Sequence, residues 1–191
     1  MHDLEKLISE RKPKVGDTFF IAVDGHGGSG KSTLGKLLAT KLNAELIHTD
    51  DFASWENPLD WHKDLIEKVF KPISEGAKVL NYQPTSWWEN HHPEKVSKSV
   101  TGTMILEGVS SSRGEFRDYI SLSIFVDTPK EICLERGIER DRSTGKSEEE
   151  LRKMWEEWFA EEDKYIKQDN PKAYADIVVS GIEPFEQQLK F

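Results

Sequence analysis

One stretch constrains this chain more than any other. The apolar run Phe19 to Val23 leads through Asp24 into Gly25-His26-Gly27-Gly28-Ser29-Gly30-Lys31-Ser32-Thr33. Aromatic and β-branched residues ahead of the glycines predict a buried strand, and Thr33 to Ala39 continues at helical apolar spacing. A strand that turns this tightly into a helix start points several backbone N–H groups into one small concavity. The helix N-terminus adds partial positive charge there, so the turn is an anion cradle. The spacing G-x-x-x-x-G-K-S adds a lysine that reaches β- and γ-phosphates and a hydroxyl that can hold Mg²⁺. Gly25, His26, Gly27, Gly28, Ser29, Gly30, Lys31, Ser32 and Thr33 are thus the expected nucleoside triphosphate contacts. His26 counts mainly for its backbone.

With 191 residues, 36% of them hydrophobic, the chain is long enough for one α/β domain spanning 1–191 with a full core. A net charge of −9 argues against a broad nucleic-acid-binding face. Positive charge needed by an anionic ligand must then be concentrated locally, which makes the Lys and Arg positions informative. Cys133 is the single cysteine, which excludes an internal disulfide and a multi-thiolate metal site. No apolar run approaches a membrane span and the first residues lack a signal-peptide core, so no membrane partner and a cytoplasmic location are expected.

Strands and helices alternate along the chain. A helix from Asp3 to Arg11 ends at Lys12-Pro13; strands are expected at about 18–24, 45–48, 103–106, 122–126 and 176–179. Helices are expected to follow the glycine turn to about Leu42, then over Asp60–Glu75, Pro129–Asp141 and Glu148–Lys167. This alternation implies a parallel sheet with right-handed crossovers, whose ligands sit at the carboxyl ends of the strands. Asp50, Asp51, Glu107 and Asp127 all fall at such ends.

Phosphoryl transfer to a hydroxyl needs a phosphate cradle, Mg²⁺, a carboxylate to orient the acceptor, and cations over the transferring group. Asp50 is the candidate for the carboxylate, with a turn cap as its ordinary alternative. Asp51 reads as a substrate-side residue, a partner to the metal at one remove, or a cap. Glu107, ending a buried strand before Gly108, is suited to approach Mg²⁺, or is a structural carboxylate. Arg136, Arg140 and Arg142 recur towards a helix end before Ser143-Thr144-Gly145-Lys146. Such a run is a solvated face or a lid over phosphates, placed at residues 142–147.

Order and spacing resemble the uridine kinase and phosphoribulokinase-like group of kinases. The resemblance rests on Asp24 to Ser32, on Asp50-Asp51-Phe52 after the second strand, and on Asn57-Pro58-Leu59-Asp60 with the helix to Gly76. It continues through Glu107-Gly108-Val109, Phe125-Val126-Asp127-Thr128 and Arg136 to Asp141, covering roughly residues 19–146. It implies a three-layer α/β P-loop fold with helices on both faces of the sheet. The five parallel strands, numbered in chain order, would lie as 2-3-1-4-5. It also implies ATP and Mg²⁺ as cofactors and a small-molecule acceptor, with a nucleoside such as uridine first. On it, Asp50, Lys31 and Arg140 are catalytic, Arg136 joins the ATP site, and Ser32, Glu107 and Asp50 face the metal. Asp51, Phe52, Tyr82 and Trp88 are the acceptor-side candidates. The segment Asn81 to Glu89 keeps the tyrosine of the group's Y-D-x-x-x-H-x-R pattern but lacks its histidine and arginine at that spacing. The acceptor is therefore open: another nucleoside, nicotinamide riboside, a pantothenate-like acid, a sugar or a nucleoside monophosphate. The absence of arginine from 55–92 weighs against a monophosphate. A regulatory ATPase is the reading from another class, weakened by the lack of an N-K-x-D motif.

Other residues have ordinary readings. Trp87 and Trp88 either stack on an acceptor ring or pack as lid or dimer surface, which leaves a homo-oligomer open. His91-His92 is expected to be a solvated loop pair. Leu151, Met154, Trp155, Trp158, Phe159, Glu162 and Tyr165 form a helical stripe expected to pack in the core. Cys133 is expected to be buried and inert.

Overall fold

A computed structural model describes residues 1–85 and 93–191. Trp87, Trp88, His91 and His92 lie outside the described residues.

The glycine-rich turn joins strand β1 (Phe19–Asp24), buried along its whole length, to helix α2 (Lys31–Leu42). Ahead of β1 lies helix α1 (Leu4–Ser9), where Asp3 Oδ1 accepts from the Lys6 N–H as the N-cap. Strand β2 (Glu45–His48) runs directly into a short 3₁₀ turn, Thr49–Asp51. Further along come β5 (Thr103–Glu107), β6 (Leu122–Asp127) and β7 (Ile177–Ser180). Two further strands, β3 (Val79–Tyr82) and β4 (Val96–Ser99), form an antiparallel hairpin beside the main sheet.

The main sheet has the order β2-β5-β1-β6-β7 with every neighbour parallel. In chain order of its five strands that is 2-3-1-4-5, as the resemblance implies. Sequence periodicity missed the hairpin, because Lys98 and the serines around it give β4 no apolar face of its own. It also missed a two-residue parallel pairing of His2–Asp3 with Leu189–Lys190, too short for any periodicity.

Residues 62–74 form one helix, α3, within the expected span of 60–75. Its middle turn, Ile66–Phe70, is π-helical. The wide turn stands directly before Pro72, whose ring lacks an N–H and would collide with the Lys68 carbonyl in a regular α-helix. Leu65, Val69 and Phe70 still point inward and are buried. They join Phe20, Leu106, Trp61 and Phe116 in the core on one face of the sheet. Ile21, Val23, Leu34, Leu38, Ile105 and Ile124 fill the core on the other face.

Helix α4 (Lys130–Asp141) packs on helix α5 (Glu148–Asp169), with a 3₁₀ turn, Arg142–Thr144, between them. Gly137 allows the close approach, since a Cβ there would stand 2.4 Å from the Trp155 ring. Ser147 starts α5 with a capping box: its hydroxyl accepts from the Glu150 N–H, and Glu150 accepts from the Ser147 N–H. A single turn, α6 (Pro171–Tyr174), precedes β7. No helix among the described residues is long and apolar enough to cross a membrane.

Candidate active site

The carboxyl ends of β1, β2 and β5 meet at a cavity of about 980 Å³, the position that a parallel sheet dictates. Its floor is the turn between β1 and α2. Asp24, at the end of β1, is almost fully buried and organises that turn. Its Oδ1 accepts from the N–H groups of Gly25 (2.7 Å) and Ser110 (3.1 Å). Its Oδ2 accepts from the N–H and hydroxyl of Ser112 and from the Tyr165 hydroxyl (2.6 Å). Burial, followed by the charge of Asp24, holds the Tyr165 hydroxyl well above its ordinary pKa, so it stays a proton donor.

Glu162 holds the outer side of the turn. This buried carboxylate accepts from the Gly27 N–H (3.1 Å) and pairs with His26 Nδ1 at 2.9 Å. The turn is fixed from below by the Thr128 hydroxyl, which donates to the Ser29 carbonyl at 2.9 Å. Gly28, with φ of +76°, lies against Cys133, where a Cβ would fall 2.3 Å from the carbonyl oxygen. That backbone is open only to glycine. Cys133 is buried as expected, and burial pushes its thiol up to about 11, which leaves it protonated and inert.

Lys31 is buried and donates from Nζ to the His26 carbonyl at 2.8 Å. Ser32 stands on the cavity side of α2, and its hydroxyl donates to Glu107 Oε1 at 2.9 Å. Glu107 Oε2 pairs with His48 Nδ1 at 2.7 Å. Burial alone would raise the Glu107 pKa. The His48 hydrogen bond, the Lys31 charge and the Ser32 hydroxyl outweigh it, so the carboxyl is held below its usual range. The same hydrogen bond raises the His48 pKa. Gly108, with φ of +140°, lets the chain after β5 pass the Thr49 side chain, where any Cβ would collide. This close passage sets Asp50 beside Glu107.

Asp50 is open to the cavity, yet protein walls surround it on most sides. That displacement of bulk water raises its pKa, against the lowering effect of Lys31. Arg140 lies across the Trp155 ring at 5.1 Å with Asp141 as its ion-pair partner. Arg136 donates to the Gly181 carbonyl at 3.0 Å. Both arginines line the cavity, as do Thr144 and Lys146 from the expected lid. On the far side the walls are apolar, with Trp55, Pro58, Leu59, Trp61 and Trp158. Trp55 and Trp158 face each other at 4.9 Å.

Gly27, Gly28, Gly30, Lys31, Ser32, Thr33, Asp50, Glu107, Arg136 and Arg140 are thus brought to one cavity. Gly25, His26 and Ser29 shape the turn from behind and do not line it. Three expected acceptor contacts lie away from the cavity surface. Asp51 accepts from the Tyr82 hydroxyl at 2.7 Å, and Phe52 packs between Tyr82 and Trp61 in the core. Burial and then the Asp51 charge push the Tyr82 hydroxyl pKa up, so that contact stays protonated. These three residues brace the Asp50 turn. Trp88 is outside the described residues. Asp127, also expected at a strand end, pairs with Lys172 instead of lining the cavity.

The helical stripe on α5 packs in the core through Leu151, Trp155 and Phe159, and does more than pack. Trp155, Phe159, Glu162 and Tyr165 are buried, as expected, but Glu162 and Tyr165 bond the turn, and Trp155 lines the cavity. A charged Glu162 among apolar residues at helical spacing was the available signal, since unpaired carboxylates are rarely buried. His48 gave no signal, because only the β2–β5 register brings it level with Glu107.

Ser32 and Glu107 supply hard oxygen donors of the kind Mg²⁺ takes. No cluster of three or more His, Cys, Asp or Glu able to hold a metal occurs among the described residues.

Comparisons with known proteins identify relatives of this chain. The family model for "Phosphoribulokinase / Uridine kinase family" matches residues 51–184. The uridine kinase of Pasteurella multocida (strain Pm70) is 28% identical over 193 residues, covering 83% of this chain and 84% of that protein. The uridine kinase of Mannheimia succiniciproducens is 27% identical over 187 residues, covering 83% and 84%. A solved structure described as a possible uridine kinase from Bacillus stearothermophilus shares the fold. Its TM-score is 0.64 and its identity 21%, over 92% of this chain and 94% of that one. The chain belongs to the phosphoribulokinase/uridine kinase family and is a phosphotransferase with a hydroxyl group as acceptor.

Proposed function

We propose that the protein transfers the γ-phosphate of ATP to a hydroxyl of a small molecule, with a nucleoside such as uridine as the first candidate acceptor. One observation carries the reading. The glycine turn with Lys31 and Ser32 shares a single cavity with Asp50, Glu107, Arg136 and Arg140. Donor cradle, carboxylates and cations thus surround one space, as phosphoryl transfer requires.

In this reading the N–H groups of the turn and Lys31 cradle the β- and γ-phosphates. Asp50 accepts a hydrogen bond from the acceptor hydroxyl and takes its proton as the oxygen attacks in line. Its raised pKa improves it as a base. Lys31, Arg136 and Arg140 cover the charge on the transferred group, the arginines closing with the 142–147 lid. Ser32 and Glu107 are the residues that would hold Mg²⁺, which supplies charge neutralisation on the phosphates. Asp24, Tyr165 and Glu162 keep the turn in shape throughout. Tryptophan faces at 55, 61 and 158 supply a surface for a flat or apolar acceptor group.

Nucleotide turnover with Mg·ATP across an acceptor panel tests the proposal. The panel holds uridine, cytidine, other nucleosides, nicotinamide riboside, pantothenate and sugars. Acceptor-dependent ADP release with uridine or cytidine is the expected result. Turnover with a different compound alone would keep the mechanism and replace the acceptor. ADP release that no acceptor accelerates would overturn the kinase reading in favour of a regulatory ATPase.

A further inference from the structure

A second cavity, of about 450 Å³, lies at the other end of the sheet, where β6 and β7 begin. Its walls come from three separate segments: the linker after α1, the loop before β6 with the start of β6, and α6 with the residue preceding β7. They bring together Arg11, Lys12, Lys14 and Arg117, against a single carboxylate, Asp176. On a chain of net charge −9, four converging cations are a local reversal of sign.

Folding uses only part of this hydrogen-bonding capacity. Arg11 pairs with Asp176 at 2.9 Å, and Asp176 also accepts from the Ser123 N–H. Lys14 Nζ donates to the Arg117 carbonyl at 2.8 Å, which leaves two of its three donors. Arg117 Cζ sits over the Tyr174 ring, 3.7 Å from its centroid, and Nη2 donates to the Asp169 carbonyl, so two contacts hold the guanidinium. Its Nε has no hydrogen-bond partner among the described residues. The hydroxyl of Ser121, a residue only 6% exposed, has none either. Buried polar groups of native proteins are nearly always satisfied, and a bound ion is one of the few explanations for those that are not.

We propose that this cavity binds a small phosphate-bearing metabolite, at a site separate from the donor cradle. A preset guanidinium fork with lysines around it is the arrangement that phosphate oxygens select. The volume suits one such molecule, within the usual range for small-ligand sites. The inference does not depend on the kinase reading.

Amide chemical shifts of the uniformly ¹⁵N-labelled full chain test it, with the donor site first saturated by Mg·ADP. Pyrophosphate is the probe, with inorganic phosphate and citrate as separate arms. Saturable shifts at Lys12, Lys14, Arg117 to Ser123 and Tyr174 to Asp176 are expected with pyrophosphate and phosphate. Binding in Arg117→Gln should be roughly tenfold weaker, as expected for losing a hydrogen bond to a charged group. Arg117 also holds Asp169, so the exposed Lys12→Glu serves as the variant that leaves the fold untouched and should weaken binding in the same direction. Shifts confined to the glycine turn would overturn the proposal. So would cavity shifts that fail to saturate or that neither variant weakens. Citrate binding more tightly than pyrophosphate would replace phosphate with carboxylate as the recognised group, and would equally overturn it.

Discussion

Asp50 owes its chemical character to its surroundings. The residue is open to a cavity but ringed by protein, which raises its pKa, while Lys31 keeps the charged form accessible. Asp50→Asn preserves the shape and removes the proposed base. Turnover should fall by about 10²–10⁴-fold, the usual contribution of a positioned base, with nucleotide affinity nearly unchanged. Steady-state kinetics beside a nucleotide-binding titration checks this, and unchanged turnover would remove Asp50 from the mechanism. His48 shows a different coupling. Its folded pKa is raised by the Glu107 hydrogen bond, so the pair contributes stability in full below the unfolded value of about 6.5. That contribution is lost as pH rises through the raised value. Urea midpoints of the wild type should therefore fall from mildly acidic to mildly alkaline pH by more than those of His48→Ala. Parallel pH dependence in the two proteins would show that the pair contributes nothing. Of these residues, Asp50 was legible as a cavity residue from its place after a strand. His48 was not, because its role exists only across two strands far apart in the chain.

Among the elements, α5 carries the least expected role. Its apolar spacing reads as an ordinary core helix, yet two of its residues reach across to the glycine-rich turn. The start of α5 also bounds the proposed lid, so its N-terminal cap fixes where the lid ends. Ser147→Ala removes one half of the capping box and should destabilise the protein by about 1 kcal/mol. Hydrogen exchange at the first turn of α5 should accelerate with it, while exchange in β1 stays as slow as before. Equal protection at Glu150 in both proteins would show the cap to be dispensable. The other elements divide along the same line. Helices and strands of the main sheet follow from periodicity and stop signals, including α3 with its breaker at Gly76. The β3–β4 hairpin does not, since a polar strand takes its identity from its partner.

At the scale of the molecule, the sheet order puts three strand ends, a helix start and the α4–α5 pair around one space. A ligand held by all of them stabilises the folded state against unfolding. At about a hundred times its dissociation constant, Mg·ADP should add about 2.7 kcal/mol. For a chain of this size that raises the melting temperature by about 5–10 °C. Thermal-shift measurements should show this rise and its loss in Lys31→Ala; an equal rise in both proteins would place the nucleotide elsewhere.

The sequence by itself determined the element on which the proposed donor site is built. A strand, six residues of turn with the required glycines, and a helix start are contiguous, and local chemistry alone turns their backbone N–H groups towards one concavity. Alternation of strands and helices likewise determined the fold class. Tertiary structure decided what no local pattern encodes. It joined His48, Glu107 and Ser32, turned Glu162 and Tyr165 onto the cradle, and moved Asp51, Phe52 and Tyr82 from expected contacts into bracing. It also gathered the four cations of the second cavity from segments more than a hundred residues apart. Each of these depends on register and packing between distant segments, which a side chain's neighbours in sequence do not determine.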